Sequence, residues 1–384
     1  MMVPAALALP SPVTSVVLKV AAGCNLDCDY CYEYRYGDDS WKRKPAGVSD
    51  EVVDLLGWRI REHAQEWGLR SFGVSLHGGE PMLVGAPRLA SIAARLRAAV
   101  GDAVHLDFGM QTNGTLLDEE AVRILANACI TMGVSLDGDA GSNDAHRVDK
   151  KGRGTHAAAA RGIEALTRVA PDWFGGILCV VNVHASPRAV FEHLASFEPP
   201  LIDFLLPHGS WDRLPPAKES VDDTRYGAWL CEAFDAWFDG SLRRVSIRYF
   251  ESILAGLLGG PSSTEAIGAG AVGLVTIATD GAVEGVDTMK SVYPGAQRLG
   301  VGLGLTSLSA VLHTEHMKAR QVGLDGLCAE CRACPLAKAC GGGYFPHRYG
   351  RGRQFENPSV YCADIKLLCS HIASVARATV RNAP

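Results

Sequence analysis

The sequence of 384 residues has no run of 18 or so uninterrupted apolar residues, so no part of it is long enough to span a bilayer as a helix. Residues 1–10 lack a basic n-region and a convincing cleavage site, which argues against a secretory signal. Charge of either sign is nowhere concentrated: 37 Lys and Arg against 42 Asp and Glu give −5, without a long block of either. Nucleic acid is therefore a poor partner, because binding a phosphate backbone needs a basic stripe. Internal repeats and low-complexity tracts are missing as well, which sets aside solenoid, collagen-like and disordered architectures. These absences leave a cytoplasmic globular chain with no membrane association, with 47% hydrophobic residues for a large core and length for two or three domains.

Cysteine is the residue in excess. Twelve stand at positions 24, 28, 31, 129, 179, 231, 328, 331, 334, 340, 362 and 369. Disulfides suit small secreted domains, whereas a large chain without a signal uses clustered thiols for metal binding or redox chemistry. Cys129, Cys179 and Cys231 lie in apolar runs and read as small buried hydrophobes. Cys369, on a helical pattern seven residues after Cys362, reads as a core thiol.

Apolar, β-branched runs at 14–20, 72–76, 104–111, 132–136, 177–183 and 202–206 alternate with helical patterns at 49–67, 86–100, 118–128, 155–169 and 187–197. The alternation predicts an α/β fold, a (β/α)6 partial TIM barrel that presents ligands at the C-terminal ends of its strands. The pattern changes near residue 222. Helical stretches at 223–238 and 245–258 lead into a Gly-rich region, and Thr279-Asp280-Gly281 turns a hairpin between 274–278 and 282–286. The expected organisation is an extension over 1–13, a barrel over 14–221, a helical linker over 222–271 and a second module over 272–384.

Cys24-Asn25-Leu26-Asp27-Cys28-Asp29-Tyr30-Cys31 is a C-x3-C-x2-C loop just past the first strand. Three thiolates on one loop can hold three irons of a [4Fe-4S] cube and leave the fourth open to a small molecule. A structural zinc would need a fourth ligand, and no histidine is near in sequence. Gly78-Gly79-Glu80-Pro81 closes the second strand, Gln111-Thr112-Asn113-Gly114 the third and Ser135-Leu136-Asp137-Gly138 the fourth. In this order the motifs resemble the radical S-adenosylmethionine (SAM) enzymes. The resemblance implies a cube on Cys24, Cys28 and Cys31 whose open iron chelates the amino and carboxylate groups of SAM. It places Tyr30 near the adenine and Gly78, Gly79 and Glu80 near the methionine amino group. Ser135 would bond the ribose or carboxylate, Arg147 would pair with the carboxylate, and Gln111 and Asn113 would belong to the same pocket.

Cys331, Cys334 and Cys340, followed by Cys362, form C-x2-C-x5-C with a distant fourth cysteine, enough for every iron of a second cube. A zinc ribbon is the rival reading, and Cys328 offers an alternative C-x2-C pairing. The spacing resembles the SPASM domain, which follows the barrel in many radical SAM peptide maturases and usually carries two auxiliary clusters. Tyr344 and Val286 stand where the family has cysteines. The resemblance therefore implies one auxiliary cluster, on Cys331, Cys334, Cys340 and Cys362, and two [4Fe-4S] clusters in all. Gly341, Gly342 and Gly343 would let backbone amides point at its sulfurs.

The stretches 202–211, 279–288, 340–349 and 357–364 are similar to the cyclophane-forming radical SAM/SPASM maturases, which join an aromatic ring carbon of a ribosomally made precursor peptide to a nearby β-carbon. That resemblance implies a 5′-deoxyadenosyl radical that takes a Cβ hydrogen. The carbon radical adds to the arene, and one electron and one proton are lost as aromaticity returns. Asp287, directly after Val286, is the candidate base. An external one-electron reductant of flavodoxin or ferredoxin type is expected. Alternatives are formylglycine formation as in sulfatase maturation, a thioether or ether crosslink, epimerisation, or a non-catalytic iron-sulfur electron carrier. With the first strand beginning near Thr14, leader recognition would fall to barrel and SPASM surfaces or to a separate partner.

Overall fold

Six of the apolar runs pair as parallel strands in chain order: β1 (Ser15–Ala21), β2 (Ser71–Gly78), β3 (His105–Thr112), β4 (Ile130–Ser135), β5 (Phe174–Val180) and β6 (Leu201–Leu205). The computed structural model describes residues 10–102, 104–239 and 245–381. Along β2 the burial alternates, with Phe72, Val74 and Leu76 packed under helices and Gly73, Ser75 and His77 on the less covered inner face. The crossovers are α1 (Asp50–Trp67), α2 (Ala86–Val100), α3 (Glu119–Asn127), α4 (Ala140–Asp144) with α5 (His156–Val169), and α6 (Pro187–Ala195). Local chemistry fixes their ends. Ser49, Asp118 and Ser186 accept the amide N–H groups of Val52, Ala121 and Ala189, and Gly68 stops α1 at φ 66°.

The second half departs from expectation in how it attaches. The hairpin forms as β8 (Leu274–Ile277) and β9 (Ala282–Glu284), but β8 lies parallel along the free edge of β1, pairing Ser15 with Leu274 through Leu18 with Ile277. With β7 (Ser246–Ile247) on β6 and β10 (Arg298–Gly302) on β9, one sheet runs β10-β9-β8-β1-β2-β3-β4-β5-β6-β7. Alternation says which face of a strand is buried but not which edge it will use. The pairing of Ser246 and Ile247 also delays the expected helix, so α8 spans Arg248–Leu257.

After the sheet come the short helices that follow α7 (Arg225–Phe238) and α8 in the chain: α9 (Leu308–Val311), α10 (Glu315–Ala319), α11 (Ala329–Arg332) and α12 (Ala337–Cys340). The last helix, α13 (Cys362–Arg381), packs against α7 and α8. The contact of α13 with α7 requires Gly227, where an added Cβ would stand 2.7 Å from the carbonyl of Asp364. One large apolar core joins barrel, α7, α8 and α13, and a small separate one gathers Val286, Met289 and Ala296 under Phe345 and Phe355. Cys179 and Cys369 are buried and Cys231 partly so, but Cys129 is exposed. It occupies the turn between α3 and β4 at φ 52°, where the chain must reverse direction before its next strand. Among the described residues no helix is long and apolar enough to cross a membrane.

Candidate functional site

The loop after β1 carries Cys24, Cys28 and Cys31, and the ends of β2, β3 and β4 surround it. Glycine at 78 and 79 is demanded by packing. A Cβ on Gly79 would lie 1.9 Å from the carbonyl oxygen of Gly23, and one on Gly78 would lie 2.7 Å from that of Ala21. Glu80 then ties two strand ends together: one carboxylate oxygen accepts from Met82 N at 2.9 Å and Thr112 Oγ1 at 2.6 Å, the other from Asn113 N at 2.8 Å. Both oxygens being engaged, Glu80 braces the cradle and has little left to offer a ligand. Asn113 donates to Asn25 Oδ1 at 2.8 Å and to Cys24 Sγ at 3.9 Å, while Gln111 donates to Ser135 Oγ at 2.9 Å. Burial raises the thiol pKa at Cys24 and Cys28 and pushes Cys31 up to about 12. Thiols of this kind are poor free nucleophiles, and metal binding must displace their protons.

Across the cradle, Arg147 donates through Nη1 to the Tyr30 hydroxyl at 2.9 Å, and Tyr30 donates to Asp137 Oδ2. Asp137 Oδ1 accepts from Val180 N at 2.9 Å, which anchors the triad to β5. Burial raises the Asp137 carboxyl, opposed by Arg147. Arg147, 8% exposed, also faces Cys28, which puts it beside the thiol loop. Asp137 was not singled out by the sequence, though it stands in the Ser135-Leu136-Asp137-Gly138 motif.

Asp287 sits farther in, 5% exposed. Its Oδ2 pairs with Lys19 Nζ at 2.5 Å and accepts from Tyr32 at 2.8 Å. Burial by itself would raise this carboxyl, but Lys19, with His77 and Lys290, holds it well below the usual carboxylate range. The ion pair continues inward: Lys19 to Glu33 at 3.3 Å, Glu33 to Lys290 at 2.5 Å, Lys290 to Glu284 at 3.9 Å and Glu284 to Lys44 at 2.5 Å. Three cations thus offset three carboxylates in a region that excludes water. Only Asp287 was visible from the motifs. Lys19 carried a signal, as the one charge inside the apolar run of β1, but nothing named its partners.

Beside Asp287, a cavity of about 710 Å³ is lined by Tyr32, His77, Leu178, Thr288, Tyr344 and His347 among others. Burial lowers His208 to about 4, and its Nδ1 stands 3.3 Å from His347 Nε2. Tyr344, at a position where the family has cysteine, bonds Thr288 Oγ1 at 2.6 Å and donates to Glu265 at 3.3 Å.

The remaining thiols gather separately. Cys331, Cys334, Cys340 and Cys362 line one small pocket with Leu336, Gly342 and Ile365. Cys328, buried, adjoins Cys331 without lining that pocket. Burial pushes Cys340 up to about 11, opposed by the nearby backbone of Gly342 and Gly343. Among the described residues no three His, Cys, Asp or Glu side chains converge as tightly as a single ion needs. Four thiols round one pocket are a donor set that could hold a metal centre.

Residues 18–185 match the Radical SAM superfamily. The chain is 27% identical over 367 residues to the cysteine-type anaerobic sulfatase-maturating enzyme of Clostridium perfringens (strain 13 / Type A), covering 92% of this chain and 95% of that one. It is 32% identical over 191 residues to the serine-type anaerobic sulfatase-maturating enzyme of Klebsiella aerogenes, 49% of this chain and 45% of that enzyme. Its fold is that of native anSMEcpe with bound AdoMet, with a TM-score of 0.79 at 24% identity over 96% of this chain and 100% of that one. Streptococcus suis SuiB bound to precursor peptide SuiA aligns with a TM-score of 0.57 at 16% identity, over 87% of this chain and 72% of that chain. The family match over residues 18–185 runs through the cysteine triplet and the strand ends that enclose it, and the likeness of fold extends well beyond those residues.

Proposed function

We propose that this enzyme removes a Cβ hydrogen from a residue of a ribosomally made precursor peptide and joins that carbon to a neighbouring aromatic ring. The observation that carries the reading is the cavity of about 710 Å³ beside Asp287, which is ligand-sized and walled by residues of both the barrel and the C-terminal module. Cys24, Cys28 and Cys31 fit a [4Fe-4S] cube with one open corner, and Cys331, Cys334, Cys340 and Cys362 fit a fully ligated one. When bound, these groups and SAM would supply a 5′-deoxyadenosyl radical and a one-electron sink. An external flavodoxin-like or ferredoxin-like reductant provides the electron that starts the cycle.

The chain's own residues orient and exclude. Arg147, fixed by Tyr30, offers a fork to the SAM carboxylate, and Ser135 with Gln111 faces the ribose. Asn113 steadies Cys24. After the new carbon–carbon bond forms, the ring must lose a proton. Asp287, held ionised by Lys19, takes it at its carboxylate, directly or through the Tyr32 hydroxyl. The ion pair makes Asp287 a weak base, which suffices because rearomatisation makes that C–H strongly acidic.

Formylglycine formation is the second reading, favoured by the similarity to sulfatase-maturating enzymes over 92% of the chain. The same cavity and carboxylate would serve it. Co-expression with aromatic-rich short peptides encoded nearby, followed by tandem mass spectrometry and hydrazide trapping, separates the two. Crosslinking gives a peptide two hydrogens lighter that hydrazide leaves untouched and that resists fragmentation inside the ring. An aldehyde captured by hydrazide would move the assignment to the second reading.

A further inference from the structure

Directly after Cys340 the backbone turns through three successive left-handed glycines, Gly341, Gly342 and Gly343, at φ 59°, 78° and 70°. No side chain is tolerated at the first, where a Cβ would meet the Gly268 carbonyl oxygen at 1.8 Å. Such a run turns successive amides to one side and carbonyls to the other. Gly342 lines the pocket of the four thiols, and the Gly343 amide donates to the Cys340 carbonyl oxygen at 3.0 Å. The carbonyls converge on Arg348: Nη2 donates to Gly341 O at 2.6 Å and Gly343 O at 2.7 Å, and Nε donates to Gly342 O at 3.1 Å and Gly343 O at 3.3 Å.

Arg348 differs from its neighbours. Arg351 pairs with Asp212 and Arg353 with Glu330, both near the surface. Arg348 has no carboxylate partner among the described residues, although its guanidinium is largely covered, lies 5.9 Å from the Phe345 ring centroid, and faces Cys340, Cys331 and Cys328. Neutral carbonyls satisfy its hydrogen bonds but leave the charge itself uncompensated in a poorly solvated place. The anions within reach are the thiolates. A cube on four thiolates carries two net negative charges oxidised and three reduced, so a fixed cation beside it favours the reduced form and raises the reduction potential.

We propose that Arg348 is a counter-charge of the auxiliary cluster, holding the glycine turn against the thiol pocket and placing its own charge beside the thiolates so that the cluster accepts the electron released from substrate. This rests on the ligand set Cys331, Cys334, Cys340 and Cys362. Arg348 is a positioning residue, and its signature is a potential. The test is an EPR-monitored redox titration of the anaerobically reconstituted full chain, with the Cys24, Cys28 and Cys31 to Ala variant used to assign the auxiliary signal.

In Arg348→Gln the iron content should stay at about eight, the auxiliary potential should fall and the SAM-cluster potential should hold. Arg348→Lys, which keeps the charge and loses the fork, should recover part of the shift. Full iron with an unchanged potential in Arg348→Gln would overturn the proposal, leaving Arg348 a brace for the loop. Loss of auxiliary iron in both variants would overturn it too, because charge would then be irrelevant. Loss in Gln with retention in Lys would support it. A parent protein that binds only about four irons would instead show that the ligand set itself is wrong.

Discussion

The two groups of thiols are built by different means. Around Cys24, Cys28 and Cys31 the neighbours are side chains from several strand ends and their loops: Asn25, Asn113, Tyr30, Arg147. Around Cys331, Cys334, Cys340 and Cys362 they are the backbone of a glycine turn braced by Arg348, apolar side chains, and Lys366 beside Cys362. A site made by side chains at strand ends can leave a face open for a small molecule, and three donors leave room for one. A site supplied with four donors leaves no corner of a cube open. Under the proposed function the contrast is a division of labour: one group would meet a small molecule and the other would exchange only electrons.

The largest expected effect breaks the contrast outright. Replacing Cys24, Cys28 and Cys31 with Ala should remove about half of roughly eight irons and abolish 5′-deoxyadenosine formation from SAM and dithionite. Replacing Cys331 and Cys334 with Ala should also remove about half the iron yet leave SAM cleavage measurable. Zinc in the C-terminal site, or SAM cleavage lost equally in both variants, would erase the proposed division.

Next in size is Asp287→Asn, which should lower crosslinked peptide by roughly 10²–10⁴-fold, the usual contribution of a general base, while 5′-deoxyadenosine continues to appear. Asn also disturbs a buried ion pair, so stability must be separated from chemistry. Lys19→Met removes the same pair but keeps the carboxylate. Product made at a higher rate by Lys19→Met than by Asp287→Asn, at comparable melting temperatures, assigns the effect to proton transfer. Equal loss in both variants would leave the pair as a structural element only.

How much of this was legible follows the same divide. The barrel strands and their caps could be read because alternation and capping are local, and the motif residues because each closes a strand. The attachment of β8 to β1 could not be read, since an edge is chosen by tertiary packing. Nor could the partners of Asp287: Lys19 and Glu33 come from the first strand and the loop after it, far in sequence from Glu284 and Lys290, and only folding brings their charges together. Glu80 stands between, since its motif was plain but its use as a brace appears only from the distances. Cys129 misled because an apolar neighbourhood in sequence does not bury a residue placed at a reversal.

A smaller effect checks the cradle. Gly79→Ala sets a methyl 1.9 Å from the Gly23 carbonyl oxygen and should cost about 1–3 kcal/mol through overpacking, seen as a fall of several degrees in melting temperature with weaker SAM binding. Gly23→Ala, two strands' ends apart in sequence but adjacent in space, adds a carbon with nothing within 4 Å and should be close to neutral. Equal effects of the two would mean that the loop relaxes freely around the thiols.

The smallest effect contrasts two buried histidines. His63, under the barrel, has both ring nitrogens bonded, to Val13 O at 3.0 Å and Ser309 Oγ at 2.7 Å. His316, in the C-terminal module, packs edge-on to Phe345 with neither nitrogen bonded, and burial, reinforced by Arg320, lowers it to about 4. Its unfolded value is about 6.5. Between those two values the unfolded chain binds the proton and the folded chain does not, so stability must fall as pH drops from 6.5 toward 4, and the loss is absent above 6.5. By pH 5.5 it amounts to about 1 kcal/mol. His316→Phe keeps the ring against Phe345 and removes the titration, so its stability should decline less than the parent's between pH 7.5 and 5.5, by about that amount. Thermal melts at the two pH values, at matched iron content, provide the check. Identical declines in parent and variant would mean that His316 stays neutral in the unfolded chain or is solvated in the folded one, and the C-terminal module would then share the polar anchoring seen around His63.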